Sequence, residues 1–266
     1  MKGMGLKAGI DCVTEAVTSG SSVSVSCDGV HYRDLNAILR NFVAGGVKRI
    51  ELRDVFGQRY IGTGLEAEVD IEIKGTPGND LGAFMDGPHI VVRGNAQDGC
   101  GNTMNDGLIV VHGHAGDIVG FAMRGGKIFI RDSVGYRVGI HMKEYLDKKP
   151  CLVIGGTAQD FLGEYMAGGI MVVLGLGLND GERHKANFIG TGMHGGVVYI
   201  RGSVEKHQLG KEVGEVELDH SDWEILQGLV GEYCDHFGHS KNEILRGRFV
   251  KLLPLSSRPY GRLYAY

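Results

Sequence analysis

The stretch GDIVGFAMRGGKIFI, residues 116–130, combines four glycines with one methionine and then ends in an apolar triplet. Glycine loses more backbone freedom on folding than any other residue, so a dense set of glycines needs a geometric reason. The chain has 45 glycines among 266 residues, or about 17%, where an average protein has about 7%. Proline is rare, with 5 residues, so neither collagen nor a low-complexity linker explains this composition.

The same phrase recurs along the chain at a nearly constant interval. Segments of similar sequence begin at Gly75, Gly94, Gly113, Asp132, Gly156 and Gly175. The successive steps are 19, 19, 19, 24, 19 and 27 residues, and the last segment ends at Gly202. Insertions at 143–149 and 178–187 account for the two long steps. A sustained period with insertions at one place in the unit is typical of a solenoid.

Two columns are uniform when the segments are aligned. A glycine stands seven residues into each unit, or after the insertion in the last one: Gly82, Gly101, Gly120, Gly139, Gly163 and Gly190. A methionine follows three residues later: Met85, Met104, Met123, Met142, Met166 and Met193. An unbranched thioether fills irregular core space, so the methionines predict a packed interior. A soft-metal site would require cysteine or histidine on the same rung, and none aligns there.

Each unit closes with an apolar triplet, as at 90–92, 109–111 and 128–130. Units of this length are too short for helical hairpin repeats, and β-branched triplets bounded by glycine favour strands. The fold class predicted is therefore mainly β: a single-stranded parallel β-helix of about seven coils, spaced ~4.8 Å apart, with short helical caps at both ends.

The predicted fold divides the chain into three parts. Residues 1–48 form an N-terminal cap, in which a strand precedes a helix over 31–44 that stops at Gly45–Gly46. Residues 49–204 form the β-helix. Residues 205–266 contain a helix from Ser221 or Asp222 to about Cys234, followed by an extended tail along a surface.

The middle residue of each triplet points out of the column, because side chains alternate along a strand. These residues are also apolar: Val91, Val110, Phe129, Val153, Val172 and Tyr199. Apolar residues on both faces of a strand indicate that the outer face is covered. Either the chain's own terminal segments or a partner protein provides that cover.

A neighbouring column is cationic. It contains Lys74, Arg93, His112, Arg131 and Arg201. Stacked like charges repel, so they face solvent or an acidic counterpart. Of these, Arg93, His112, Arg131 and Arg201 are candidates for docking a partner, and a solvated edge is the simpler alternative. A column of Asn79, Asp98, Asp117 and Asp160 offers partial charge compensation.

Local chemistry identifies no catalytic, cofactor-binding or metal residue. His112 and His114 flank one glycine, but no carboxylate or cysteine set accompanies them. His236 and His239 are expected in a solvated loop. The five scattered cysteines predict free thiols, and Cys100 falls in an apolar column. A net charge of −4, with no signal peptide and no long apolar run, predicts a soluble cytoplasmic protein that binds neither nucleic acid nor membrane.

Several motifs occur in the order found in a known family. Gly-Ala-Phe stands at 82–84, Gly-Glu-Tyr-Met-x-Gly-Gly at 163–169, Asn-Phe at 187–188, Gly-Met-x-Gly-Gly at 192–196 and Phe-Val-Lys-x-x-Pro at 249–254. These motifs resemble the GXGXG repeat family, whose best-known member is the C-terminal β-helix domain of the glutamate synthase large subunit. Residues 1–50 do not match that pattern.

The resemblance implies a right-handed parallel β-helix that serves as architecture, made here as an independent subunit of a glutamate synthase-type complex. No cofactor is then expected in this chain, because partner subunits would carry the FMN and iron–sulfur clusters. The implied partners are an amidotransferase (glutaminase) subunit and a flavin-binding synthase subunit. Independently of the resemblance, an exposed apolar ladder makes a homo-oligomer possible when partners are absent.

Two alternatives remain open at this point. One is a scaffold like the C subunit of formylmethanofuran dehydrogenase and its formyltransferase–hydrolase relatives. The other is an autonomous enzyme with a site on the flank of the β-helix, using Glu182, Arg183 and His184.

Overall fold

The computed structural model describes residues 16–19, 21–179 and 181–255. The expected extended tail beyond 255 and the first residues of the predicted N-terminal cap lie outside this part of the chain. The strands are β1 (Ala16–Ser19), β2 (Ser22–Ser26), β3 (Arg49–Phe56), β4 (Asp70–Thr76), β5 (His89–Val92), β6 (Leu108–Val111), β7 (Lys127–Ile130), β8 (Cys151–Ile154), β9 (Ala167–Val173), β10 (Gly195–Arg201), β11 (Val213–Val216) and β12 (Phe249–Pro254). The α-helices are α1 (Tyr32–Ala44), α2 (His220–Phe237) and α3 (Lys241–Leu245).

All of these strands form one sheet, in the order β1 to β10 followed by β12 and β11. The strands from β2 to β10 pair in parallel, whereas β1 and β12 pair antiparallel with their neighbours. The prediction of a mainly β, parallel β-helical fold is confirmed. The solenoid has about six turns, so the coil count differs slightly from seven. Strands from all three predicted parts of the chain join this sheet.

The lumen of the solenoid is filled by stacked apolar side chains. Strand register places Ile90, Ile109 and Ile128 above one another, and each is fully buried. The six repeat methionines are at most 1% exposed. They belong to a single core cluster that extends from β2 to β12. This continuous apolar stack holds successive turns together, because each turn buries its inner face only against its neighbours.

A left-handed backbone conformation recurs three times in each turn, at alternate residues. The first position is taken by Tyr60, Asp80, Gly99, Ile118, Arg137, Phe161 and Phe188. The second is always glycine: Gly62 and the six repeat glycines from Gly82 to Gly190. The third is taken by Gly64, Phe84, Thr103, Ala122, His141, Tyr165 and Gly192.

The second position is glycine in every turn, and in several turns space as well as φ requires it. At Gly82, φ is 65° and a Cβ atom would lie 2.8 Å from Cδ1 of Ile109, in the turn below. At Gly101 a Cβ would meet Cδ1 of Ile128 in the same way. Side chains at the first and third positions point away from the lumen or lie at its rim, so larger residues fit there at the cost of backbone strain.

The two ends of the lumen are closed differently. Helix α1 begins at the N-cap His31 and ends at Gly45, as predicted, and its buried Leu35, Ile38 and Leu39 close the first end. At the other end, Val204, Leu209 and Val213 pack against the core. A short 3-10 helix over Lys206–Gln208 precedes Leu209.

The C-terminal helix does not cap the lumen. Helix α2 lies on the outer face of the sheet, where Leu226, Val230 and Tyr233 pack with Phe129 and Val153. The physical reason is that this outer face is apolar and must be removed from water. The prediction of a helical cap from this segment therefore needs correction, because the segment covers the side of the column.

Helix α2 is also longer than expected at both ends. Its N-cap is Asp219, which forms a capping box with Asp222, and it continues to the left-handed C-cap Gly238. His236 is therefore helical, and its ring lies 5.0 Å from that of Phe129. His239 stacks on Tyr233 at 5.6 Å. The expectation of a solvated loop is wrong for His236, because helix packing extends to this end of α2. It is confirmed for His239, which is exposed in the loop after Gly238.

Candidate functional site

The outer face of the sheet divides into two halves along its central column. Strand register aligns Ser24, Glu51, Glu72, Val91, Val110, Phe129, Val153, Val172 and Tyr199. We call the last five residues the covered half and the first four the open half. The covered half is at most 1% exposed, and the chain's own C-terminal helices provide most of its cover.

Hydrogen bonds fasten α2 to the covered half. The Tyr199 hydroxyl donates to Asp222 at 2.5 Å, and Lys251 donates to the other carboxylate oxygen of Asp222 at 2.6 Å. Burial acts to raise the pKa of Asp222, but the hydrogen bonds from Lys251 and Tyr199 hold that pKa below its usual value. At the other end of the helix, the Tyr233 hydroxyl donates to the carbonyl of Arg131 at 2.9 Å.

The open half carries charges that pair with one another across the strands. Lys74 contacts Glu51 at 2.6 Å, Arg93 contacts Glu72 at 2.7 Å and Arg49 contacts Asp70 at 3.6 Å. The hydrogen bond from Lys74, followed by that from Ser24, lowers the pKa of Glu51. This half is therefore a solvated, internally neutralised surface.

The candidate docking residues are divided between these environments. Arg93 contacts both Glu72 and the His112 ring, which packs against Phe237. Burial, with the nearby charges of Arg93 and Arg131, lowers the pKa of His112. Arg131 pairs with Asp132. Arg201 donates from Nε to the carbonyl of Ile244 at 3.1 Å. They do not form one continuous solvent-facing ladder, and their role in docking stays a prediction.

The acidic column does not compensate these cations. Asp98 accepts a hydrogen bond from the backbone N–H of Asp117, and Asp117 accepts one from that of Tyr136. Asp160 accepts one from that of Asn187. Each carboxylate thus satisfies a backbone donor in the next turn, which a tight loop without strand pairing would leave unpaired.

The three insertion residues considered for an autonomous site point to different places. Glu182 accepts from Asn179, and Arg183 pairs with Glu205. The ring of His184 is buried, and its Nε2 hydrogen-bonds the carbonyl of Arg201 at 2.8 Å. Burial lowers the pKa of His184. The structure therefore does not bring these side chains together.

Cysteines and histidines likewise occupy structural positions. Cys27, Cys100, Cys151 and Cys234 are buried free thiols, and burial raises the pKa of Cys100 to about 12. His114 accepts from the backbone N–H of Ser133, away from the contacts of His112. Within residues 16–19, 21–179 and 181–255, no three histidine, cysteine, aspartate or glutamate side chains are grouped to hold a metal ion.

One exposed cluster was not identified from the sequence. It comprises Phe121, Arg137, His141, Phe161, Tyr165 and Phe188, and we call it the aromatic flank. Phe161 stacks on Phe188 at 4.9 Å, and the guanidinium of Arg137 lies 4.8 Å from the Phe161 ring. His141 stacks on Tyr165 at 5.4 Å, and Phe121 meets the His141 ring edge-on at 6.0 Å.

A buried carboxylate connects the two stacks. Glu164 is 6% exposed and accepts a hydrogen bond from Nη1 of Arg137 at 2.6 Å. Glu164 precedes Tyr165 in the chain. The Arg137–Glu164 ion pair therefore connects the Arg137–Phe161–Phe188 stack to the His141–Tyr165 stack. The Tyr165 ring lies where a side chain at residue 192 would be, so Gly192 leaves room for it.

All members of the flank except Phe121 occupy the outer left-handed positions of the repeat. Arg137, Phe161 and Phe188 have φ of 54°, 64° and 57°, while His141 and Tyr165 have φ of 56° and 51°. Bulky residues rarely adopt this conformation. The sequence contains a signal for the cluster, because large residues stand two places before and after the repeat glycines in these turns. Without the backbone conformation, that spacing does not reveal exposure.

Comparison with known proteins places this architecture in a family. The GXGXG motif family matches residues 47–255, and the chain belongs to that family. An uncharacterized protein of Methanocaldococcus jannaschii is 49% identical over 250 residues, covering 91% of this chain and 96% of the relative. Among the described residues, no helix is long and apolar enough to cross a membrane.

Proposed function

We propose that this chain is a scaffold subunit of a glutamate synthase-type complex, which forms glutamate with nitrogen taken from glutamine. The observation that carries the proposal is the GXGXG match over residues 47–255. It is accompanied by the ordered motifs at 163–169, 187–196 and 249–254, which resemble the β-helix domain of glutamate synthase. In this role the chain docks an amidotransferase subunit and a flavin-binding synthase subunit, and those partners carry the FMN and iron–sulfur clusters.

The physical character of the column supports this role. Its interior is a continuous apolar stack from β2 to β12, and close-packed interiors deform little. Backbone hydrogen bonds connect each turn to the next, for example from Gly101 to Leu81 and from Gly120 to Cys100. A rigid body of this kind holds two catalytic chains at a constant separation, which favours transfer of ammonia between them.

The test is reconstitution from the same organism. The chain is co-expressed with the amidotransferase-type and flavin synthase-type chains, and glutamate formation from glutamine and 2-oxoglutarate is measured with a chemical reductant. We expect the three chains to co-elute, glutamine-dependent activity to require this chain, and the isolated chain to show no turnover.

Three results would contradict the proposal. One is full glutamine-dependent activity of the partner chains without this chain. Another is binding of this chain to neither of them, for instance because it co-elutes with formyl-transferring subunits instead. The third is robust turnover by the isolated chain, which would support an autonomous enzyme.

A further inference from the structure

We propose that the chain's own C-terminal segment, residues 256–266, docks on the aromatic flank of the same molecule. In this contact the tyrosines of the segment pack against Tyr165 and Phe188, and an arginine of the segment pairs with Glu212. The inference does not depend on the proposed function, because it concerns a contact within one chain.

The first argument is the place at which the described chain ends. Strand β12 pairs antiparallel with β10 and so runs toward Gly195, the first residue of β10. The backbone N–H of Leu255 then donates to the carbonyl of Glu212 at 2.7 Å, and the Glu212 carboxylate accepts from the backbone N–H of Gly192 at 3.0 Å. The ring of Tyr165 lies directly against Gly192. The chain therefore leaves the described structure beside the flank.

The second argument is reach. Residues 256–266 span at most about 36–40 Å when fully extended. Tyr165 stands one turn from Gly192 at the third left-handed position, and His141 stands two turns away. Because successive turns are about 4.8 Å apart, even the Phe121 end of the flank lies within about 15 Å of Gly192 along the column. The residues before β1 enter at the opposite edge of the sheet, so the C-terminal segment is the nearer of the two terminal segments.

The third argument is the match between the two sets of aromatic groups. The segment carries large side chains at alternate positions: Tyr260, Arg262, Tyr264 and Tyr266. In an extended chain, alternate residues share one face. Rings pack favourably against other rings, and a guanidinium packs favourably over a ring face. Since Tyr165 is 47% exposed and Phe188 is 51% exposed, docking would remove both sets of rings from water.

The fourth argument is charge. The segment contains Arg258 and Arg262 and no acidic side chain. Glu212 uses Oε2 for the N–H of Gly192, and a carboxylate has further acceptor sites. Arg258 follows Leu255 by three residues, so its backbone lies within about 11 Å of the Leu255–Glu212 hydrogen bond. We therefore assign Glu212 as the carboxylate that Arg258 contacts.

The experiment measures how well the flank protects the segment from trypsin. Trypsin cleaves after arginine unless proline follows, so within the segment it cuts between Arg262 and Leu263 and spares the bond between Arg258 and Pro259. Cleavage of the full-length chain is followed by intact mass, and a synthetic peptide of residues 256–266 gives the unprotected rate. The ratio of the two rates reports the docked population when undocking and redocking are faster than cleavage.

The variants use asparagine where the backbone is left-handed, because asparagine tolerates that conformation. Phe188→Asn and Tyr165→Asn remove rings of the flank, and Glu212→Gln removes the charge assigned to Arg258. The matched control is Phe84→Asn, because Phe84 has φ of 58° and is 51% exposed but stands five turns from Gly192. The melting temperature of each variant is also measured.

We expect the wild-type bond to be cleaved about 30-fold or more slowly than the peptide, because a tethered segment has a high effective concentration at the flank. Phe188→Asn and Tyr165→Asn should each reduce this protection about tenfold, as expected for central aromatic residues. Glu212→Gln should reduce it about threefold, whereas Phe84→Asn should leave it within about twofold because that ring lies outside the flank. All variants should melt within about 4 °C of the wild type, so that lost protection does not reflect unfolding.

Three outcomes would overturn the inference. Wild-type cleavage at the rate of the peptide would show that the segment does not dock. Equal protection in the wild type and in both flank variants would place the segment on another surface. Protection that is lost on dilution from about 100 µM to about 2 µM would show docking on a second copy of the chain. Because no other protein chain is present in these samples, none of the three outcomes bears on the proposed function.

Discussion

The covered and open halves of the outer sheet face share one backbone ladder and differ only in their side chains. In the covered half, Phe129 and Val153 are fully buried beneath α2. In the open half, Glu51 and Glu72 occupy the same column and pair with cations of neighbouring strands. The solenoid repeat therefore determines the ladder, while the residue at one column position determines whether a turn needs an external cover.

The contrast also separates two kinds of ion pair. Lys251 and Asp222 pair beside Tyr199 of the covered half, with side chains 12% and 4% exposed. Arg93 pairs with Glu72 of the open half, with side chains 49% and 41% exposed. Exposed pairs contribute little because water and salt screen them. A buried pair is costly to break, because removal of one partner leaves a charge without solvation.

The largest effect is expected from breaking the buried Lys251–Asp222 pair. Asp222→Asn should lower the free energy of unfolding by about 3 kcal/mol, because Lys251 loses its closest carboxylate in a poorly solvated position. The matched change in the open half, Glu72→Gln, should cost less than about 1 kcal/mol. Urea unfolding of both variants measures the difference, and equal losses would contradict the distinction between the halves.

A smaller effect is expected from shortening one apolar side chain in each half. Val153→Ala should destabilise the protein by about 2 kcal/mol, since the lost methyl groups leave a cavity under α2. Val91→Ala, in the same column but partly exposed, should cost less than about 1 kcal/mol. Thermal unfolding compares the two variants, and a larger loss for Val91→Ala would show that the open half is covered in solution.

The smallest expected effect is a pH dependence at the end of α2. Burial lowers the pKa of His236, with Glu232 and Asp235 opposing the shift and Lys127 adding to it. Because the unfolded chain then binds a proton more readily than the folded one, stability contributed by neutral His236 falls as pH drops through the unfolded histidine pKa near ~6.5.

The measurement is the melting temperature at pH 7.5 and at pH 5.5. We expect a decrease in the wild type that is smaller in His236→Gln. His220→Gln is the control, because its side chain is 92% exposed on the same helix. If the melting temperature of His236→Gln falls as much as that of the wild type between pH 7.5 and pH 5.5, His236 is not the cause of the pH dependence.

Much of the fold was predictable because its signals are local and repeated. The interval between Gly82 and Gly101 indicated the coil length, and the methionine three residues after each glycine indicated the lumen. The end of α1 followed from Gly45–Gly46. These features depend on the chain within a single turn, so their pattern is visible without coordinates.

Other features depended on distant parts of the chain. The outward residues Phe129 and Val153 indicated that a cover was needed, but not which segment supplies it. Asp117 was expected to balance cations, whereas it binds a backbone N–H of the next turn. The aromatic flank was missed because exposure of Tyr165 and Phe188 depends on the left-handed backbone on which they stand.

The sequence by itself determined that this chain winds as a parallel solenoid and which residues fill its lumen, because the period of the repeat equals the length of one turn. Only the tertiary structure decided where α2 lies and which side chains meet on the flank. These contacts join residues that are far apart in the chain. They depend on which distant apolar surfaces and hydrogen-bond partners fit together, and the spacing of residues within one turn does not indicate that.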